Sequence, residues 1–333
     1  MGKKLDQIRE GVPDSFMAAI MTAVAFMLFL TVDQMHWWRL KPDYAFGWLV
    51  PVFVAYVVAD RWPRLKEIFA ATGKSPLPRW LKILSSAGAG LALGFGIACF
   101  LVGALYRAAV GATQPGSIAL ALGFGLVLVG TVYFNTPEGR IGGVATRGFW
   151  SDLRADARVR AASLFMFPAL IWMISAPLAT AVENSVSLFL LRKVVAVVFA
   201  IFDTLGYSLV QEGNVLILPK GQVGVAEACS GIRSLTGCLF AGSFLAAVFL
   251  DKLWKKVLLV ATALVFAFLA NLVRSLFLTA WAYAYGSEAI EGNLHDATGL
   301  AVLGLTSLGL MALLPLFRPV RWHRQLAPLP AGK

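Results

Sequence analysis

Charge is scarce in this chain: 14% of its 333 residues are Asp, Glu, Lys or Arg, against 59% hydrophobic. A soluble domain of this length needs far more polar surface, because folding leaves much of its area facing water. A water-soluble globular fold is therefore excluded. Cysteine and histidine are nearly absent, at three residues each. Cys99, Cys229 and Cys238 have no paired spacing and form no zinc motif, and Cys99, inside an apolar run, reads as a small core hydrophobe. His36, His295 and His323 are widely separated, and no glycine-rich phosphate loop leads into a Lys-Ser or Lys-Thr pair. No metal, nucleotide or organic cofactor is expected. No small-residue cleavage site follows the first apolar run, which reads as an anchoring helix instead of a removed signal.

What the chain has is long apolar runs, and a mean hydropathy of +0.74. Eight runs are candidate membrane spans: Phe16–Thr31, Phe46–Ala59, Ile83–Tyr106, Ser117–Tyr133, Ala161–Ala179, Gly231–Leu250, Val257–Tyr283 and Gly299–Phe317. The formal net charge is +11, but the cations cluster in short connections, where they report orientation and contact with anionic headgroups. Nucleic acid is not an expected partner; membrane lipids are. Lys3, Lys4 and Arg9, then Arg61 to Lys82, Arg140 to Arg160, Lys252 to Lys256 and Arg318 to Arg324 all fall on the cytoplasmic side if the eight runs span. Both termini are then cytoplasmic. A ninth stretch, Val186–Phe202, is interrupted by Arg192 and Lys193. Counting it as a span reverses the later topology, so it is expected to be interfacial or re-entrant.

Val215–Leu218 and Gln222–Val225 read as two short strands joined by Pro219-Lys220-Gly221, a small hairpin on the outer face. The glycines at 88, 90, 94 and 96 suggest close helix packing, and Pro168 should kink the fifth span. The expected fold is an all-α polytopic membrane protein with about eight transmembrane helices. Residues 1–333 form one integral membrane domain, with the interfacial helix and hairpin over residues 186–228 and a motif region over residues 229–299.

Three polar sites gather at the outer ends of the last three spans. They are Glu227-Ala-Cys-Ser-Gly-Ile-Arg233, Asn271-Leu-Val-Arg274 and His295-Asp296. The topology was drawn from cations elsewhere, yet it brings all three to one side. A thiol near a helix start feels unpaired amides and the positive end of the helix dipole, which favour its thiolate. A histidine moves a proton near neutral pH, and an arginine stabilises an oxyanion or the thiolate itself. Together they suit cysteine-based acyl transfer. Taken residue by residue they also fit structural cysteine, a snorkelling arginine and a helix-capping histidine. Arg274, one turn from Asn271 in a run almost devoid of polar groups, weighs against that bland reading. A noncatalytic transporter or anion-binding channel component, and a scaffold that binds a partner through the hairpin, remain competing classes.

Glu227-Ala-Cys-Ser-Gly-Ile-Arg-Ser234, Asn271-Leu-Val-Arg274 and His295-Asp-Ala-Thr-Gly299, in that order, resemble the exosortase/archaeosortase family of membrane cysteine proteases or transpeptidases. The likeness covers the carboxy-terminal half well and the amino-terminal half as a set of spans. It implies catalytic Cys229 with Arg274 and His295 as partners, and histidine at the third position points to the bacterial branch. It further implies exported substrates bearing a carboxy-terminal PEP-CTERM-like sorting region: a Pro-Glu-Pro-like motif, a transmembrane helix and a basic cluster. The site would lie on the periplasmic face of the inner membrane. Glu227, Ser230, Arg233, Asn271 and Asp296 are supporting candidates. Without substrate, the Cys229 sulfur is expected within roughly 4–7 Å of a nitrogen of Arg274 or His295, since catalytic contacts are loose in the free enzyme.

Overall fold

The computed structural model describes residues 11–142, 148–224, 232–250, 252–290 and 292–317. Among these residues nine helices are long and apolar enough to cross a membrane. The fold is an all-α polytopic membrane protein with one small sheet. Each of the eight expected runs carries one of these helices. The ninth runs unbroken over Thr180–Thr204, longer than the stretch expected from sequence, and by length and composition it too could span. The described chain groups into two compact units, Met1–Glu183 and Asn184–Lys333.

The first unit contains α1 (Asp14–Leu40), a 3-10 segment (Pro42–Leu49), α2 (Val50–Phe69), α3 (Arg79–Val110), α4 (Gln114–Asn135), α5 (Phe149–Ala155) and α6 (Ala157–Ser175). α3 and α4 meet along a glycine seam. Gly96 and Gly103 on α3 face Gly123 and Gly116 on α4, and Gly130, seven residues further along α4, faces Ala89 and Leu93. A Cβ on Gly123 would lie 2.5 Å from the backbone nitrogen of Phe100, and one on Gly96 2.8 Å from the Cβ of Leu126. Small residues let two backbones approach where lipid offers no hydrophobic drive to pack. Of the four glycines expected to pack, only Gly96 lies in this seam. Gly88 and Gly94 face open space, and a Cβ on Gly90 would meet Phe134 at 3.9 Å.

Helix ends inside a membrane must find partners for their last carbonyls. At the end of α6, Gln34 Nε2 donates to the Trp172 carbonyl (3.1 Å), Trp38 Nε1 donates to the Ser175 carbonyl (3.2 Å), and Ser175 Oγ donates to Gln34 Oε1 (2.6 Å). Trp38 fits because Gly47 has no side chain; a Cβ there would overlap the indole at 2.1 Å. Pro168 lacks the N–H that Leu164 needs four residues earlier, and the buried Arg61 guanidinium donates to that Leu164 carbonyl instead.

The basic connections share one end of this unit. Arg140 bridges Thr72 and Asp156 by backbone pairing. Ser75 Oγ donates to Asp156 Oδ2 at 2.6 Å, while Asp156 Oδ1 caps α6 by accepting from the Val159 amide. Glu138 lies between Lys82 (2.7 Å) and Arg158 (3.0 Å). At the other end, Lys41 pairs with Glu183 (2.6 Å) and Arg107 with buried Asp33, which also accepts from Ser117.

The second unit takes in most of α7 (Thr180–Thr204), then β1 (Val210–Glu212), β2 (Val215–Leu218) and β3 (Gly221–Gly224). It continues with α8 (Ile232–Phe249), α9 (Leu253–Tyr285), a 3-10 turn (Ser287–Ile290) and α10 (Asn293–Phe317). The expected β2–β3 hairpin is present, with Leu218 paired to Gly221; Val225 lies outside the described residues. β1 was not expected. It pairs with β2 across Gly213-Asn214, and Gly213 takes φ +61°, the positive value a II′ turn requires of its first central residue. The sheet sits on α7 and the end of α9: Leu191, Val194, Val195 and Val198 pack with Leu216, Leu278 and Ala282. Lys220 Nζ donates to the Ala284 carbonyl (2.6 Å), a cation at the negative end of α9.

Candidate active site

α8, α9 and α10 form a mutually packed trio whose core includes Cys238, Ala263, Ala267 and Leu310. α8 and α10 run the same way. Gly237 faces Leu303, which a Cβ would meet at 2.9 Å, and Cys238 lies beside Thr306. Carried back along both helices, that register sets Ile232, the first described residue of α8, level with Thr298–Leu300.

Arg274 reaches this same level. From α9, half buried, its Nε donates to Thr298 Oγ1 at 3.1 Å. A Cβ on Gly299 would lie 3.7 Å from its Nη2. The guanidinium therefore docks on α10 within a turn of His295 and Asp296, both in the first turns of that helix. Arginine in the middle of an apolar helix is costly unless it finds such a polar contact. Asn271, one turn earlier, is buried, and its carbonyl accepts from Ser275 Oγ at 2.9 Å. It borders a cavity of about 10 Å³ with Leu190, Leu235, Ala267 and Phe268, close to the minimum that holds one water. Arg233 lies in the first turn of α8 and is exposed.

Glu227, Cys229 and Ser230 lie outside the described residues, as do the side chains of His295 and Asp296. The expected 4–7 Å separation of the Cys229 sulfur therefore falls outside them too. What the structure brings together is Arg274 with the α10 turn that follows His295, at the level where α8 begins. Thr298 had no assigned role in the sequence. Its signal was available, since it stands one turn after His295 on the same helix. Among the described residues no three His, Cys, Asp or Glu side chains gather as a metal site.

A polytopic helical bundle with a polar cluster where three packed helices come level is the class that fold and site define. Over residues 37–312 the chain matches the family described as Transmembrane exosortase (Exosortase_EpsH), and it belongs to that family. No curated protein and no solved structure matches it.

Proposed function

We propose that the chain is a membrane cysteine peptidase or transpeptidase that processes the carboxy-terminal sorting region of exported proteins. The observation that carries the reading is the docking of Arg274 on Thr298, within a turn of His295 and level with the entrance to α8. Cys229 falls three residues before that entrance. Cys229 as thiolate attacks the scissile carbonyl, and the guanidinium of Arg274 stabilises the oxyanion that forms. His295 protonates the departing amine, and the acyl group stays on sulfur. His295 then takes a proton from water or from an acceptor amine, which attacks the thioester and releases Cys229. Thr298, by accepting from Nε, fixes the plane of the guanidinium before substrate arrives.

The site belongs on the periplasmic face of the bacterial inner membrane, with both chain termini cytoplasmic. The burial pattern of α7 supports this orientation. Leu191, Val194, Val195 and Val198 are buried, while Arg192 and Lys193 in mid-helix are exposed. Two cations facing lipid at mid-depth cost about 2.5–3.5 kcal/mol each on insertion scales, whereas an interfacial helix sets both among headgroups. An interfacial α7 leaves eight spans and keeps every basic cluster cytoplasmic.

The test is co-expression with an exported protein bearing a Pro-Glu-Pro-like motif, a transmembrane helix and a basic cluster, reading substrate size. The native chain should shorten it and Cys229→Ser should not, with both proteins equally abundant in the membrane. Full processing by Cys229→Ser would overturn the mechanism, and no processing by the native chain would favour an anion-binding transport role for Arg274.

A further inference from the structure

The sheet of β1, β2 and β3 has two outer edges, and strand geometry fixes which main-chain groups each one offers. In an antiparallel pair, opposed residues alternate between pairs that exchange both hydrogen bonds and pairs that exchange none. Glu212 and Val215 close the two-residue turn and exchange both, as do Val210 and Ile217. Gln211, opposite Leu216, therefore turns its N–H and C=O away from β2. Along β2 the same alternation leaves Leu216 and Leu218 to bond Val223 and Gly221 of β3, so Gln222 and Gly224 turn theirs outward. Gln211 and Gln222 are both exposed, and among the described residues nothing pairs with the outward main-chain groups of either.

Their surroundings separate the two edges. β3 packs on α9 and on the 3-10 turn, with Gly221 against Ser287. Buried Val223 shares a core with Ile290, and Leu294, the residue before His295, packs against that core. Gly224 stands five residues before Cys229, at most about 18 Å of chain. β1 lies beyond β2, two strand spacings or about 10 Å from β3. The composition agrees. β1 carries Glu212, the kind of charge that keeps foreign strands off an edge, whereas Gly221-Gln-Val-Gly224 has no charge and no proline. Glycine in a strand favours close approach of another backbone.

Outward N–H and C=O groups on alternate residues are the complement of another extended main chain. We propose that β3 is the docking strand for substrate. An extended segment of the exported protein, next to its transmembrane helix, joins the sheet through Gln222 and Gly224 and is led along the edge toward Cys229. This rests on the peptidase reading and adds to it the recognition of main chain beside the reacting groups.

Disulfide capture tests the docking without catalysis. Gln222→Cys, in a Cys229→Ser chain, is co-expressed with substrates that each carry one cysteine at successive positions ahead of the transmembrane helix. Non-reducing gels read the mixed disulfide formed in the oxidising periplasm. Directly opposed side chains in a sheet lie about 4.5–5.5 Å apart and successive ones alternate faces. Capture should therefore peak at one substrate position, persist two residues to either side and vanish between. Gln211→Cys should capture nothing. Capture by neither, equal capture by both, or capture without the two-residue period would each overturn the proposal. In the otherwise native chain, Gln222→Pro removes the outward N–H without breaking a bond to β2 and should lower processing about tenfold. Gln211→Pro and Gln222→Ala should leave processing within about twofold of native; equal losses from the two prolines would overturn β3 as the docking edge. Periodic capture by a chain that processes nothing would keep the docking strand and sink the peptidase reading alone.

Discussion

The contact between Arg61 and Leu164 is open to a quantitative test, because the sequence supplies a natural repair. Pro168 leaves the Leu164 carbonyl without its helical donor, and the buried Arg61 guanidinium fills the gap. Replacing Arg61 with Met removes a hydrogen bond from a charged donor, about 1.5–3 kcal/mol net, and leaves a buried carbonyl that water does not reach. Pro168→Ala restores the N–H at position 168 and lets the helix itself satisfy Leu164. In that background Arg61→Met should cost about 1–2 kcal/mol less, a coupling within the range of contacting residues. Other contacts of Arg61 are lost in both backgrounds and cancel. Reversible unfolding of the four proteins in mixed micelles measures the cycle. Arg61→Met costs that agree within about 0.5 kcal/mol in the two backgrounds would refute the assignment of Arg61 as the partner of the proline-freed carbonyl.

Gly123→Ala should destabilise by about 1–3 kcal/mol, since its Cβ would meet the Phe100 backbone at 2.5 Å and the two helices must part. Gly88→Ala, facing open space, should be neutral or stabilising by up to about 1 kcal/mol in the same micelle unfolding measurement. Thr298→Val should lower substrate processing about tenfold by freeing the Arg274 fork, while Thr298→Ser, which keeps the hydroxyl, should retain it; equal losses would remove Thr298 from its positioning role. The Glu138 carboxyl is held below its usual range by the hydrogen bond from Lys82, with Arg158 adding to the effect. That stability is present above the ordinary carboxylate pKa and is lost as pH falls through the lowered one. Glu138→Gln should therefore cost a few tenths of a kcal/mol at neutral pH, and the difference from the native chain should vanish in acid.

Much of the site was legible because its chemistry is rare in such a chain. Arg274 stood out against an apolar helix, and the structure gives it the polar contact that its cost demands. Within the second unit the register of α8 against α10 sets Ile232, three residues after Cys229, level with Thr298. What could not be read was the contact itself, since residues 24 positions apart meet only through the packing of α9 on α10. The β2–β3 hairpin was legible from Pro219-Lys220-Gly221, but β1 was passed over. Its Gly213-Asn214 turn is as strong a signal, and the strand before it is only three residues long.

The first unit was legible only as spans, and lipid explains why. In water an apolar face must find another apolar face, so the pattern of hydrophobic residues predicts which sides meet. In a bilayer the acyl chains compete on equal terms, and an apolar surface says nothing about its neighbour. The neighbours are chosen instead by positions that lipid cannot satisfy. Gly96, Gly103, Gly116, Gly123 and Gly130 bring α3 against α4 by close backbone approach. Gln34, Trp38 and Arg61 hold carbonyls of α6, tying α1 and α2 to it. Each of these side chains looked unremarkable in sequence, because its value comes from a carbonyl more than a hundred residues away. The family match begins at Trp37, inside this unit, and runs through Met311 and Ala312 of α10. The match thus takes in Trp38, Arg61 and the seam glycines of the first unit as well as the motifs of the second, while Gln34 lies before it.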